Sequence, residues 1–202
     1  MTRPDLLPQT VSQTAGPYVH IGLAPDVAGL RGFAPLGTDI AGPHAKGTRI
    51  RVEGRIYDGE GALVKDAMIE VWQANAAGIY AHPGDPGYAG VEVGFRGWGR
   101  VAWSLETGLW SLETVRPGVV AAQGSAPHLS LWIVARGINS GLHTRMYFPD
   151  CAVENAADPL LAALPGDRRQ TLIADQDDHE GGTQYRFDIV LQGDAETVFL
   201  DV

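Results

Sequence analysis

The feature that most limits the fold of this chain is a series of short apolar runs, each ended by a turn. Ile50, Val52 and Ile56 alternate with arginines, and the run ends at the glycine-rich turn 58–61. Apolar residues at every second position are typical of a strand that buries one face. Roughly eight runs of this kind follow one another at short spacing, at residues 48–56, 67–72, 99–105, 109–115, 128–135, 142–148, 185–191 and 197–200.

Turn residues and helix signals support the same class of fold. The 202 residues include 26 glycines and 13 prolines, scattered as breaks between the runs. Helix is predicted only near 158–164 and 167–174, because Pro159 stands at a helix start and Pro165 just past its end. The acidic segment 175–180 is interpreted as a solvated loop. We therefore predict a mainly β protein, an antiparallel β-sandwich over residues 47–202 with one or two short helices.

Residues 1–46 differ from the rest of the chain because they are rich in proline and show little periodicity. Proline has no amide hydrogen and is disfavoured inside helices and central strands. The segment is therefore predicted to be an extended arm that docks on a partner chain. Its prolines are Pro4, Pro8, Pro17, Pro25, Pro35 and Pro43.

Charge and composition narrow the classes of partner. The net charge of −9 disfavours nucleic acid and anionic lipid, although one arginine is enough for a small anionic ligand. No apolar run reaches the roughly 18 residues of a membrane span, and the first residues lack a secretory h-region. The single cysteine, Cys151, is interpreted as a buried small side chain and fits a reducing compartment. The expected location is the cytoplasm.

The run His128–Ala135 contains the residue pattern closest to a metal site. In a strand, Leu129, Leu131 and Ile133 share one face, and His128 and Ser130 share the other. Two histidines at such spacing would form a chelating pair, but a serine hydroxyl is a poor ligand. From the strand alone, a hydrogen-bonded structural role for His128 is favoured over metal binding.

Five stretches of the chain, in order, resemble the intradiol ring-cleaving dioxygenases. The combination of a Trp-Gln-Ala-Asn segment, a Pro-Gly turn and a Pro-His strand is specific, although each piece alone is weak. The resemblance implies an O2-dependent enzyme that uses Fe(III), held by two tyrosinates and two histidines. The stretches are 13–20, 69–75, 115–118, 126–137 and 185–189.

The resemblance also implies that this chain has lost ligands of that site. The first histidine falls on His128, but the second falls on Ser130 and one tyrosine falls on Val120. The other tyrosine falls near Tyr88, where a gap of one residue leaves the match open. With at most two ligands retained, these are expected to be degenerate metal positions. The resemblance thus implies a non-catalytic subunit, with Fe(III) bound by a homologous β-type partner in an αβ oligomer.

Four residues are expected, by the same resemblance, to complete the substrate pocket at the contact with the partner. They are Gly16, Pro17 and Tyr18 in the arm and Arg136 beyond the strand. The implied substrate, 3,4-dihydroxybenzoate (protocatechuate), carries a carboxylate that a guanidinium can bind through two hydrogen bonds. The alternatives from the residues alone are a solvated charge for Arg136 and an ordinary turn for Gly16-Pro17.

Two other functions compete with the partner-subunit interpretation. The first is a self-sufficient ferric dioxygenase that uses His128, Tyr88 and further ligands. The second is a transthyretin-like sandwich that binds a small molecule or a protein without redox chemistry.

Overall fold

A computed structural model describes residues 11, 13–26, 28–32, 39–179 and 182–201 of the chain. Within these residues most of the regular structure is strand, in agreement with the predicted class. The strands are β1 (Arg49–Gly54), β2 (Ile56–Tyr57), β3 (Met68–Trp72), β4 (Trp98–Arg100), β5 (Ala102–Trp103), β6 (Trp110–Val115), β7 (His128–Val134), β8 (Leu142–Tyr147), β9 (Asp175–His179), β10 (Gly182–Arg186) and β11 (Ile189–Val190).

The strands form two large sheets and one small ribbon. One sheet has the order β5-β6-β1-β10-β9, the other has the order β4-β3-β7-β8, and β11 pairs with β2. Most neighbouring strands are antiparallel, as predicted. Two pairs are parallel, β1 with β10 and β2 with β11, which alternation of apolar residues does not distinguish from antiparallel pairing.

The core lies between the two large sheets, as in a β-sandwich. Each sheet contributes the alternating apolar side chains of its strands, and each buried aliphatic or aromatic side chain stabilises the fold by roughly 1.5–3 kcal/mol. The side chains from these strands are Ile50, Val52, Trp110, Leu112 and Tyr185 from the five-stranded sheet, and Ile69, Val71, Leu129, Leu131, Ile133 and Met146 from the four-stranded sheet.

Helices are short and more numerous than predicted. They are α1 (Val19–Leu23), α2 (Ala152–Ala157), α3 (Pro159–Ala163) and α4 (Gly166–Gln170). Helix α3 is confirmed with Pro159 in its first turn and Asp158 as the capping residue, whose side chain accepts hydrogen bonds from two backbone amides. Helix α4 covers the first part of the second predicted helix, whereas α1 and α2 were not predicted.

The acidic segment is a strand, so its interpretation as a solvated loop was wrong. Asp175–His179 forms β9 at the edge of the five-stranded sheet and pairs antiparallel with β10. Its first three side chains are exposed, and an edge strand without a buried face leaves no apolar alternation in the sequence. The predicted strand 197–200 makes a single bridge, from Leu200 to His143.

The described part of the arm contains α1 and several turns, such as the one closed by the hydrogen bond from the Leu30 amide to the Pro25 carbonyl, and its last residues belong to the sandwich. Ile40 lies in the main core, and Asp39 forms a bridge with Glu113 of β6. Residues 1–10, 12, 27 and 33–38 of the predicted arm lie outside the described residues.

Candidate functional site

The outer face of β7 carries the candidate residues of the strand, as alternation predicted. Leu129, Leu131 and Ile133 point into the core, whereas Ser130 and Trp132 are half-buried on the opposite face. Ser130 lies directly between Trp72 of β3 and Arg145 of β8. Side chains opposite one another on neighbouring strands are about 5 Å apart at Cβ, so these three form a row across the sheet.

His128 begins the strand and is a buried, hydrogen-bonded histidine, with 1% of its surface exposed. Its Nδ1 lies 2.7 Å from the carbonyl oxygen of Ala126, which can only accept, so Nδ1 carries the proton. Nε2 of the neutral ring is then an acceptor, and it lies 3.2 Å from the hydroxyl of Tyr80. The lone pair that could bind a metal therefore accepts the Tyr80 proton.

Tyr80 was missed in the sequence, although a turn signal precedes it. Asn75 Oδ1 accepts hydrogen bonds from the amides of Ala77 and Ile79, and Gly78 donates to the Asn75 carbonyl. This turn brings the chain back so that Tyr80 stacks on Trp72, with ring centroids 5.8 Å apart. An asparagine followed three residues later by glycine is a turn pattern and could have indicated the return.

Tyr88, whose match was left open, lies elsewhere. It belongs to a 3-10 turn, Tyr88–Gly90, and is 45% exposed. It lines a different cavity, with residues 91–96, and its hydroxyl has no contact with His128 among those the structure shows. Tyr80 occupies the place beside His128 that the sequence left undecided.

Val120 and Ser130, the other two candidate positions, do line one cavity with Tyr80. Its volume is about 410 Å³, and Arg145 contributes a guanidinium to its wall. We call it the Tyr80 cavity, and its remaining lining residues are Trp72, His82, Gly84, Asp85, Pro86, Ala122 and Gln123.

These residues do not fit a ferric ion. Of the residues at or beside the positions matched to the family's ligands, only Tyr80 and His128 offer suitable donor atoms, and they are hydrogen-bonded to each other. The His82 Nδ1 atom and the Asp85 carboxylate, which also line the cavity, accept hydrogen bonds from backbone amides. Val120 has no donor, a serine hydroxyl is a poor ligand, and the positive Arg145 repels a cation. Across the part of the chain that the structure describes, no group of three or more histidine, cysteine, aspartate or glutamate side chains could hold a metal.

Burial keeps the Tyr80–His128 pair in its neutral form. Burial, with the Arg145 charge, lowers the pKa of His128 to about 4. Burial also raises the pKa of Tyr80, although Arg145 acts in the opposite direction. Since neither group ionises near neutral pH, the Tyr80–His128 contact is a neutral hydrogen bond in that range.

A buried carboxylate fixes the segment that precedes His128. Asp158 accepts hydrogen bonds from the amide of Ala126 at 2.9 Å and from the hydroxyl of Tyr147 at 3.3 Å. It also accepts from the first amides of α3. Burial raises the pKa of Tyr147 to about 12, so this hydroxyl remains a donor. Asp158 thus caps helix α3 and also holds the backbone segment that precedes His128.

The other set of candidate residues, in the arm and beyond β7, also comes together. The amide of Gly137 donates to the carbonyl of Ala15 at 3.2 Å, and the Ala15 amide donates to Ile138 at 3.4 Å. This pairing brings Gly16, Pro17 and Tyr18 to the loop that begins at Arg136. Gly16 and Pro17 are exposed, and Tyr18 is 75% exposed.

Arg136 is held loosely. Its Nε lies 3.8 Å from Asp66 Oδ2, and 62% of its side chain is exposed. An exposed pair at this distance stabilises the fold by at most about 1 kcal/mol, so the guanidinium can turn to another anion at little cost.

Cys151 is buried, as predicted for a structural thiol. Arg116 donates a hydrogen bond to its sulfur at 2.8 Å, and burial raises the pKa of the thiol. None of the described helices is long and apolar enough to cross a membrane.

Comparison with known proteins defines the class to which this fold and site belong. Residues 36–193 match a family model described as Dioxygenase. A solved intradiol ring-cleavage dioxygenase from Tetranychus urticae superposes with a TM-score of 0.59 at 17% identity, over 78% of this chain and 87% of that one. The chain therefore belongs to the intradiol ring-cleavage dioxygenase family, a family of oxidoreductases.

Within the family the chain is similar to subunits of one enzyme. It is 47% identical to the protocatechuate 3,4-dioxygenase alpha chain of Pseudomonas putida, over 98% of each chain. It is 34% identical to the protocatechuate 3,4-dioxygenase beta chain of Burkholderia cepacia, over 83% of this chain and 76% of that one. The resemblance inferred from the sequence is confirmed.

Proposed function

We propose that this chain is the non-catalytic α-type subunit of a protocatechuate 3,4-dioxygenase. It pairs with a homologous β-type chain that binds Fe(III), in an oligomer built of αβ units. The complex cleaves the ring of protocatechuate between its two hydroxyls with O2 and forms 3-carboxy-cis,cis-muconate. Fe(III) held by the partner would supply the chemistry that activates the catechol toward O2, whereas this chain supplies one wall of the pocket.

The observation that carries this proposal is the backbone pairing of Ala15 with Gly137 and Ile138. It joins the arm to the end of β7, so that Gly16, Pro17, Tyr18 and Arg136 form one exposed surface. We call these four residues the arm–loop surface. An exposed aromatic ring beside a loosely held arginine suits a flat anion that a second protein covers.

Charge gives the surface its role toward the substrate. Protocatechuate is an anion because of its carboxylate, and Arg136 can bind that group through two parallel hydrogen bonds. Once the partner covers the surface, water no longer competes for these bonds. The expected roles of Arg136 are to position the ring and to select carboxylated catechols over uncharged ones.

The degenerate metal positions support a non-catalytic role for this chain. Ser130 and Val120 stand where further ligands would be needed, and His128 and Tyr80 are engaged with each other. We therefore place the iron on the partner. The proposal also keeps residues 1–46 as the docking arm and the cytoplasm as the location, for which a single buried thiol is suited.

Co-expression with a β-type chain from the neighbouring locus tests the heteromer. We expect the two chains to co-purify with iron in proportion to the β-type chain, and this chain purified alone to lack stoichiometric iron. Tightly held iron in the chain alone, with the visible absorption of tyrosinate bound to iron, would contradict the proposal. A failure of the two chains to associate would also contradict it.

Arg136→Ala in the co-expressed complex tests the carboxylate role. We expect protocatechuate to bind about tenfold or more weakly, because a charged hydrogen-bonded pair contributes about 1.5–3 kcal/mol. Uncharged catechol should bind almost as before. Arg186→Ala is the control, since Arg186 is also half-exposed but pairs with Asp188 on the other sheet. Equal losses for both substrates would refute the role.

A further inference from the structure

A second cavity adjoins the Tyr80 cavity on the outer face of the four-stranded sheet. It has a volume of about 320 Å³. We call it the Trp132 cavity, and its lining residues are Glu70, Val71, Trp72, Trp98, Ser130, Leu131, Trp132, His143, Thr144, Arg145 and Leu200. The two cavities share Trp72, Ser130 and Arg145, the row across strands β3, β7 and β8. The row is therefore the boundary at which the cavities meet.

Arg145 brings to this boundary a positive charge without a direct ion-pair partner in the described part of the chain. The contact seen for its guanidinium is from Nη1 to the Tyr147 hydroxyl at 3.3 Å, and no carboxylate among the described residues lies within ion-pair distance. A half-buried guanidinium without a direct ion pair is a ready partner for an anion.

The two carboxylates that line the cavities are already engaged. Asp85 accepts hydrogen bonds from the amides of Tyr80 at 2.9 Å and Gly87 at 2.7 Å. Glu70 pairs with Arg100, with 2.8 Å between Oε1 and Nε. Among the described residues, Arg145 is thus left without a carboxylate as its direct partner, although acidic side chains line the cavities.

The walls of the Trp132 cavity suit a planar apolar group. Three tryptophans line it, and Trp72 faces Trp98 on the neighbouring strand. Indole rings bind flat rings by offset stacking or edge contacts, which contribute about 0.5–1.5 kcal/mol beyond area burial. The size is at the lower end of ligand pockets, roughly 300–1,000 Å³, and corresponds to one ring with a small substituent.

We propose that the paired cavities bind a small aromatic carboxylate, with its ring in the Trp132 cavity and its carboxylate on Arg145 and Ser130. The Ser130 hydroxyl donates an additional hydrogen bond to the carboxylate. The site is separate from the arm–loop surface, because Ser130 lies within β7 and lines the cavities, whereas Arg136 lies in the turn beyond the end of β7 at Val134 and lines neither cavity. It does not depend on the proposed function.

Benzoate is the probe for a first test, on the full-length protein in the assembly in which it purifies. Titration calorimetry and tryptophan fluorescence should show saturable binding of benzoate. Benzamide has the same shape without the charge, so we expect it to bind at least tenfold more weakly. No saturable benzoate binding, or equal binding of the two probes, would overturn the proposal.

Variants locate the binding in the chain. Arg145→Gln removes the charge and Ser130→Phe fills the boundary while leaving Arg145 in place, so each should weaken benzoate binding tenfold or more. Arg186→Gln, a charge removal on the other sheet, should leave it unchanged. Loss of binding in Arg136→Gln but not in Arg145→Gln would place the ligand on the arm–loop surface and refute this site. If Arg145→Gln does not fold, Ser130→Phe and the comparison with benzamide still decide whether benzoate binds at this site.

Discussion

At the scale of single residues, His128 shows how a side chain typical of metal sites serves a structural purpose. Its two ring nitrogens are both hydrogen-bonded, to Ala126 and Tyr80. Its neighbour on β8, Tyr147, contacts it with ring centroids 5.6 Å apart. Every polar atom of the ring is thus satisfied in its neutral form, and protonation would introduce a buried charge beside Arg145.

A pH dependence of stability follows from this burial. The pKa of His128 is about 4 in the folded state, below the value near 6.5 of an unfolded chain. Above pH 6.5 the His128 ring is neutral in both the folded and the unfolded state, so the contribution of the buried neutral ring to stability is complete in that range. As the pH falls from 6.5 to 4, the unfolded state takes up the proton first, and stability falls by up to about 3 kcal/mol.

Urea unfolding at pH 7.5 and pH 4.5 measures this effect, with His128→Gln as the comparison. The variant should be less stable at pH 7.5, because it loses packing and hydrogen bonds. Its further loss between the two pH values should be smaller than that of the parent by about 2–3 kcal/mol. Identical slopes for the two proteins would show that His128 does not carry the dependence.

At the scale of elements, how far the sequence predicts structure depends on whether an element has one buried face. Strand β7 was predicted to within a residue, because Leu129, Leu131 and Ile133 alternate with less apolar positions. Strand β9 was missed because it lies at an edge with exposed side chains. The parallel pairing of β1 with β10 was missed because alternation reports burial and not direction.

The candidate site was predictable to a similar, partial extent. Family resemblance placed His128, Ser130 and Val120 together, and in the structure Ser130 and Val120 line one cavity. Tyr80 and Arg145 were not found. Tyr80 reaches His128 through a turn, and Arg145 comes from β8, so both contacts depend on the folded geometry.

The turn that carries Tyr80 allows a matched test with two glycines. Gly78 and Gly61 have nearly equal positive φ values, +77° and +79°. A Cβ on Gly61 meets nothing within 4 Å, whereas one on Gly78 would overlap the carbonyl oxygen of Val119. Gly61→Ala should therefore cost about 1–2 kcal/mol, for the backbone conformation alone.

Gly78→Ala should cost more, about 3 kcal/mol or above, since the overlap adds to the same backbone cost. Thermal unfolding of the two variants measures the difference. Because Val119 adjoins Val120, the displacement should also disturb the Tyr80 cavity and reduce benzoate binding in Gly78→Ala alone. Equal destabilisation by the two substitutions would contradict the close approach.

At the scale of the whole molecule, the chain combines a packed sandwich with an arm whose start, over the described residues 11–32, makes few hydrogen bonds with it, whereas its end joins the core. Ala15 pairs with residues 137 and 138, Arg100 donates to the Leu23 carbonyl at 2.5 Å, and Ile40 enters the core. The first two contacts are hydrogen bonds outside the core, so removing the start of the arm should not unfold the sheets. The arm–loop surface, in contrast, requires the Ala15 pairing.

Two truncations in the co-expressed complex separate these roles. Removal of residues 1–18 should leave the β-sheet circular dichroism of the chain unchanged but weaken protocatechuate binding tenfold or more, because the arm half of the surface is gone. Removal of residues 1–10 keeps the Ala15 pairing and should retain binding. Equal binding by both truncated proteins would show that the arm–loop surface has no role in the pocket.

Because β1 pairs with β10, the five-stranded sheet cannot be completed until most of the chain has been synthesised. The amide of Arg55, just after β1, bonds to Asp188, 133 residues further along the chain. At common rates of synthesis, β1 waits roughly ten seconds for this neighbour, with one edge open to other strands. A chain truncated before β10 therefore exposes the unpaired edge of β1, a strand from the middle of the larger sheet. Complete translation thus matters more for this fold than for a meander, in which each strand pairs with the next one in sequence.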